Sequence, residues 1–175
     1  MKVSKQFVEL DKKCHDRISF DCGEEELNDF IKTKAAKHAT AGINKTFVLA
    51  GADLLSSGRY PIAAYFTIAA SSIESDSLPV DQARRLPHYP IPVFLIAQLA
   101  VHSECKGQGL GKATLVVALK TLHKISLEMP AYAVVIDCLN DDAKSFYEKF
   151  DFELLETVNG RTRLFLPMMT VSTLF

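Results

Sequence analysis

The sequence predicts a single α/β (α+β) domain spanning residues 1–175, and three observations predict it. Residues 93–101 form an apolar strand that passes through a glycine-rich turn into a helix from about Leu110. Residues 133–139 form a second continuous apolar run, followed by Asn140 and another amphipathic helix. A chain of 175 residues with 48% hydrophobic content is long enough for one substantial core and too short for two ordinary domains.

The elements follow in chain order. Residues 6–10 read as a first strand, and residues 19–27 open a helix whose acidic first turn suits the positive end of its dipole. Leu27, Phe30, Ile31 and Ala35 mark the buried face of that helix, which fades near Ala41 and Gly42. Strands are expected at 46–50 and 62–70, and the proline-bearing stretch 79–92 is a connector with one helical turn at 81–86. In the helix after Leu110, residues Leu115, Ala118, Leu119, Leu122 and Ile125 recur at helical spacing. Asn140, Asp141 and Asp142 cap the next helix, which carries Ala143, Phe146, Tyr147 and Phe150 at i, i+3, i+4 and i+7. Strands at 152–156 and 163–166 close the chain around an Asn159-Gly160 turn.

The turn Lys106-Gly-Gln-Gly-Leu-Gly-Lys112 reads as a pyrophosphate cradle. Glycine admits positive φ and close approach, while the first amides of the following helix have no intrahelical acceptor and favour an anion. The spacing excludes a P-loop, since Lys106 stands where its first glycine belongs and Ala113 replaces its magnesium-holding hydroxyl. A dinucleotide fingerprint fits poorly, because Gly107, Gly109 and Gly111 are evenly spaced and begin about five residues after the strand. Asp137 at the end of the second strand keeps that alternative open as a ribose-binding acid.

Lys106 to Gly111 resembles motif A of the Gcn5-related N-acetyltransferases, Gln/Arg-x-x-Gly-x-Gly/Ala, with lysine at the first position. Phe146-Tyr-Glu-Lys-Phe-Asp-Phe152 is similar to the family's Phe-Tyr-x-x-x-Gly-Phe, with Asp151 where glycine is common; that position needs φ above zero, which Asp tolerates. The resemblance implies a mixed, mostly antiparallel sheet of about six to seven strands, splayed between its fourth and fifth, and flanked by helices. It implies acetyl-CoA as donor, contacted by Leu99, Ala100, Val101, Lys106, Gly107, Gln108, Gly109, Leu110, Gly111, Lys112, Asn140, Ala143 and Phe146. Phe20-Asp-Cys-Gly23, Asn44-Lys-Thr-Phe-Val48 and Leu99-Ala-Val101 narrow the likeness to the acetyltransferase toxins of bacterial toxin–antitoxin pairs, over nearly the whole chain. Gln98 stands where that branch usually has Arg. Such toxins acetylate the α-amino group of aminoacyl-tRNA, block translation and are restrained by a ribbon-helix-helix antitoxin; a homodimer is expected.

Composition sets limits on this picture. The formal charge is −1, so a tRNA would need a local basic patch, and Lys32, Lys34 and Lys37 with Arg84 and Arg85 are the candidates. Each run reads equally as a solvated face. Residues 1–21 lack the apolar core of a secretory signal and no apolar run reaches bilayer length, which suggests a cytoplasmic protein without membrane contact. The four cysteines lack CxxC spacing and the five histidines form no HExxH pair, so free thiols and no metal site are expected.

Tyr147 is the candidate general acid, since a phenol is protonated at neutral pH and can supply a proton to a departing thiolate; on residues alone it reads as a core aromatic. No general base is evident beyond Glu74, Asp76 or His88, and an aminoacyl ester, whose amine is less basic than lysine's, does not require one. Two alternatives stay open: a housekeeping N-acetyltransferase of a small amine or protein N-terminus, and a non-catalytic acetyl-CoA-binding regulatory module.

Overall fold

The computed structural model describes all 175 residues. Eight strands, β1 Val3–Glu9, β2 His15–Asp16, β3 Lys45–Gly51, β4 Tyr60–Ile73, β5 Ile91–Val101, β6 Ala133–Asp137, β7 Glu153–Val158 and β8 Arg161–Pro167, are interspersed with helices. All seven expected strands are present. The eighth, β2, is a two-residue parallel bridge to Tyr60 and Pro61, too short to leave a periodic signal. The helices are α1 Glu25–Asp29, α2 Ala35–Thr40, α3 Val80–Ala83, α4 Leu110–Ser126, α5 Asp141–Glu148 and α6 Met168–Ser172.

Backbone contacts divide the chain into two compact units. The first holds residues 1–69 and 98–118. Its β1 and β4 flank β3, both antiparallel to it. The core beneath joins Phe20, Cys22, Phe30, Ile31, Ala35, Val48, Ile62, Tyr65 and Ala100. The N-terminal helical run is interrupted by a π turn, Phe30–Lys34, closed by the Ala35 amide on the Phe30 carbonyl. A five-residue step returns Ala35 to the face of Phe30, so that Phe30, Ile31 and Ala35 are buried together.

The second unit holds residues 70–97 and 119–175. Here β8 lies antiparallel to both β6 and β7, and β6 runs parallel to β5. The β5–β6 ladder has two registered pairs, Phe94 with Val134 and Leu95 with Val135. That short ladder lies at the strand pair where the resemblance puts the splay. Ile73, Leu78, Ile91, Val93, Ala133, Val135, Leu155 and Phe165 pack into a separate core. Burial of both faces explains the unbroken apolar run of β6, in which Ala133, Val134, Val135 and Ile136 are all inaccessible or nearly so. Two backbone expectations hold. Asp151 has φ 63° and Asn159 φ 51°, both left-handed. The terminal helix α6 carries no expectation from the sequence; Met168 and Val171 anchor it.

Candidate acyl-donor and acceptor residues

In the first unit, β5 delivers Leu99, Ala100 and Val101 to a loop with a one-turn helix at Ser103–Cys105, capped by His102, whose Nδ1 accepts the Glu104 amide at 3.2 Å. Cys105 is buried and pins the turn, while Lys106, Gly107, Gln108 and Gly109 are exposed. Gly107 and Gly109 have φ of 75° and 76°, and a Cβ built on either meets no atom within 4 Å. The loop therefore needs glycine for its backbone and faces open space. The first helical bond of this segment runs from the Ala113 amide to the Gly109 carbonyl at 3.1 Å, which leaves the amides of Leu110, Gly111 and Lys112 ahead of the ladder. Gly111 has no positive φ, so the helix itself does not demand glycine there. The 17-residue α4 behind them adds its dipole, and the arrangement fits a pyrophosphate.

Lys106 is committed elsewhere. Its Nζ donates to the Cys22 carbonyl at 2.7 Å, a contact the sequence did not announce. A cavity of about 480 Å³ in the same unit is lined in part by Lys2, Asp21, Asp53, His102 and Glu104, and it includes no residue of the glycine loop.

In the second unit, Asn140 caps α5 by accepting the Ala143 amide at 2.9 Å. Tyr147 is 7% exposed, with Phe146 and Phe152 ring centroids at 5.1 and 5.7 Å. Burial raises its phenol well above the ordinary tyrosine range, with the nearby Cys138 adding to the shift. Burial likewise pushes the Cys138 thiol up to about 11. Burial is the largest cause of both shifts, and it disfavours the anionic form of either group. Asp137 is not free to bind a ribose: Arg163 holds it with two bonds, Nε to Oδ1 at 2.6 Å and Nη2 to Oδ2 at 2.8 Å. The dinucleotide alternative loses its acid.

The basic candidates fall into two groups, one in each unit. Lys34 is ion-paired with Asp29 at 2.8 Å, which lowers its claim as a phosphate contact, whereas Lys37 is exposed and Lys32 half-buried. Arg84 and Arg85 are exposed just after α3. That segment is held by Tyr132, whose hydroxyl donates to Gln82 Oε1 at 2.7 Å, and by Ser77, whose hydroxyl donates to Glu156 Oε2 at 2.8 Å. Glu74 and Asp76 are exposed. No group of His, Cys, Asp and Glu is arranged to hold a metal, and no helix is long and apolar enough to cross a membrane.

Residues 80–152 match the model of the acetyltransferase (GNAT) family. A tRNA-acetylating toxin of Mycobacterium tuberculosis (strain ATCC 25618 / H37Rv) is 30% identical over 142 residues, 81% of this chain and 81% of that protein. Among solved structures, AtaT complexed with acetyl-methionyl-tRNAfMet is 26% identical, with a TM-score of 0.85 over 97% of this chain and 98% of that one. AtaTR bound with AcCoA is 25% identical with a TM-score of 0.81, covering 97% of each chain.

Proposed function

Because the chain belongs to the GNAT acetyltransferase family, we propose that it uses acetyl-CoA to acetylate the α-amino group of aminoacyl-tRNA and thereby acts as a translation-blocking toxin. The observation that carries the acceptor assignment is the 30% identity to a tRNA-acetylating toxin across 81% of both chains. The AtaT structure with an acetylated, charged tRNA supports it at nearly full length. We propose further that the protein works in the cytoplasm as a homodimer and is restrained by a ribbon-helix-helix antitoxin.

Bound acetyl-CoA supplies the acetyl group as a thioester. The backbone of Leu99, Ala100 and Val101 orients the pantetheine arm and the acetyl oxygen. Amides of Gly107 to Lys112 hold the pyrophosphate, assisted by Gln108 and Lys112; the family resemblance assigns Asn140, Ala143 and Phe146 to acetyl-CoA as well. The acceptor amine attacks the carbonyl carbon, the C–S bond breaks, and the amine's proton is lost to water. Tyr147 donates its phenolic proton to the leaving sulfur as charge develops there, and its phenolate regains a proton from the water that took the amine's, which restores the acid. The α-amine of an aminoacyl ester is partly neutral at physiological pH, so no dedicated base is required. Lys32, Lys37, Arg84 and Arg85 bind the tRNA backbone, with a lesser part for the ion-paired Lys34.

Labelled acetyl-CoA incubated with charged tRNA, deacylated tRNA and free amino acids tests this reading. Label on charged tRNA alone supports it. Label on free amines alone would identify a small-amine acetyltransferase, and no label anywhere would leave an acetyl-CoA-binding module.

A further inference from the structure

Asp21, Cys22 and Gly23 turn sharply, with Gly23 at φ +80°, and two consecutive carbonyls of this turn are spent on the loop that precedes α4. The Asp21 carbonyl accepts both the Ser103 amide at 2.9 Å and the Ser103 hydroxyl at 3.0 Å. The Cys22 carbonyl accepts the Lys106 ammonium at 2.7 Å. The amides of the same turn are taken by side chains: Gly23 donates to Asp21 Oδ1 at 2.8 Å, and Cys22 donates to Asn28 Oδ1 at 2.9 Å. Asn28 Nδ2 closes the circuit on Asp21 Oδ1 at 2.7 Å. Behind the turn, Phe20 and Cys22 are sunk in the core, with Phe20 against Tyr65 at 5.3 Å and His102 at 5.7 Å.

We infer that the Asp21–Gly23 turn is a strut that sets the phosphate loop, and that Lys106 is a positioning residue whose ammonium holds this strut rather than the pyrophosphate. Three residues lie between Ser103 and Gly107, and fixing Ser103 and Lys106 leaves the glycines little freedom at their N-terminal side. Preorganisation of this kind matters because the ligand contacts of the loop are backbone amides, which no side-chain rotamer can re-aim. Asn28 contributes twice, by orienting Asp21 and by holding the Cys22 amide, although it lies 78 positions before Lys106 in the sequence and has no part in the proposed chemistry.

This inference rests on acetyl-CoA being the donor, and the test separates the two. Acetyl-CoA affinity is measured by calorimetry over a range of salt concentrations for the wild type, Asn28→Ala, Lys106→Met and the double variant, together with steady-state kinetics. Each single variant should weaken Kd by about ten-fold while kcat at saturating donor changes less than about two-fold, as expected when a charge-assisted or part-buried bond that only positions the loop is lost. The double variant should be no weaker than the worse single one, since both remove the same strut. Lys106→Met should leave the slope of log Kd against log salt unchanged, and amide exchange at residues 103–106 should quicken in unliganded Asn28→Ala. Unchanged affinity and exchange in Asn28→Ala overturn the strut. A flattened salt slope in Lys106→Met overturns its positioning role and assigns it to phosphate. Wild-type protein that fails to bind acetyl-CoA overturns the donor assignment instead, with the exchange measurement still deciding the strut.

Discussion

Replacing Gly109 by alanine isolates the phosphate loop from the rest of the fold. Its φ is +76°, and a Cβ there meets no protein atom within 4 Å, so the folded chain has no steric clash to relieve. The remaining cost is that of an L-residue in the left-handed region, about 1–2 kcal/mol, or about 2–8 °C in Tm for a chain of this size. Gly42 provides a matched control, with φ +71° and equally open space in the turn after α2. Gly42→Ala and Gly109→Ala should therefore lose similar stability. Only at Gly109 does the added methyl enter the space assigned to the pyrophosphate, and displacement of the adjoining amides should weaken acetyl-CoA binding by more than about ten-fold. Differential scanning fluorimetry and calorimetric titration of both variants give the comparison. If the two bind acetyl-CoA equally well, the assignment of the loop is wrong.

Other perturbations have equally definite outcomes. Tyr147→Phe keeps the ring packing against Phe146 and Phe152 but removes the proton, so turnover should fall by roughly 10²–10⁴-fold at unchanged acetyl-CoA affinity; unchanged turnover would return Tyr147 to a packing role. Burial holds Cys138 at about 11 and Tyr147 higher than an ordinary tyrosine, so the unfolded chain releases these protons first and stability present at lower pH is lost on the alkaline side. Tm should accordingly decline above about pH 9, and Tyr147→Phe should lessen that decline only above about pH 10, where a free tyrosine titrates; a Tm flat to pH 11 contradicts this. Arg163→Met leaves the part-buried Asp137 carboxylate without its two bonds and should cost about 2 kcal/mol, read by urea denaturation, whereas an unchanged midpoint would show the pair to be dispensable. Reversing Arg84 and Arg85 to glutamate should weaken binding of charged tRNA and reduce its salt dependence without altering acetyl-CoA affinity, and an unaltered tRNA affinity would remove both residues from the acceptor site.

Local signals carried much of this architecture. The glycine turn, the Asn140 cap, the left-handed Asp151 and the Asn159-Gly160 hairpin each depend on residues a few positions apart, so periodicity and turn chemistry reveal them. The links that require folding were illegible. Lys106 finds Cys22 across 84 positions, Ser77 finds Glu156 across 79, and Arg163 claims Asp137 across 26. No local pattern records such pairs, which is why Lys106 reads as a phosphate ligand and Asp137 as a ribose acid until their partners are known. The π turn at Phe30–Lys34 was hidden for a different reason: a single five-residue step inside a helical pattern perturbs the apolar spacing too little to stand out. Tyr147 illustrates a third case, because the i, i+3, i+4 pattern that buries an aromatic is the same one that would deliver the proposed catalytic phenol, so spacing alone does not separate the two roles.

The most direct measurement is mass spectrometry of the 3′-terminal nucleoside released by ribonuclease from charged tRNA after a single turnover with acetyl-CoA. The account predicts aminoacyl-adenosine carrying one acetyl group on the α-nitrogen, absent with Tyr147→Phe over the same interval and absent when the tRNA is deacylated. Unmodified aminoacyl-adenosine from active, acetyl-CoA-binding protein would contradict it.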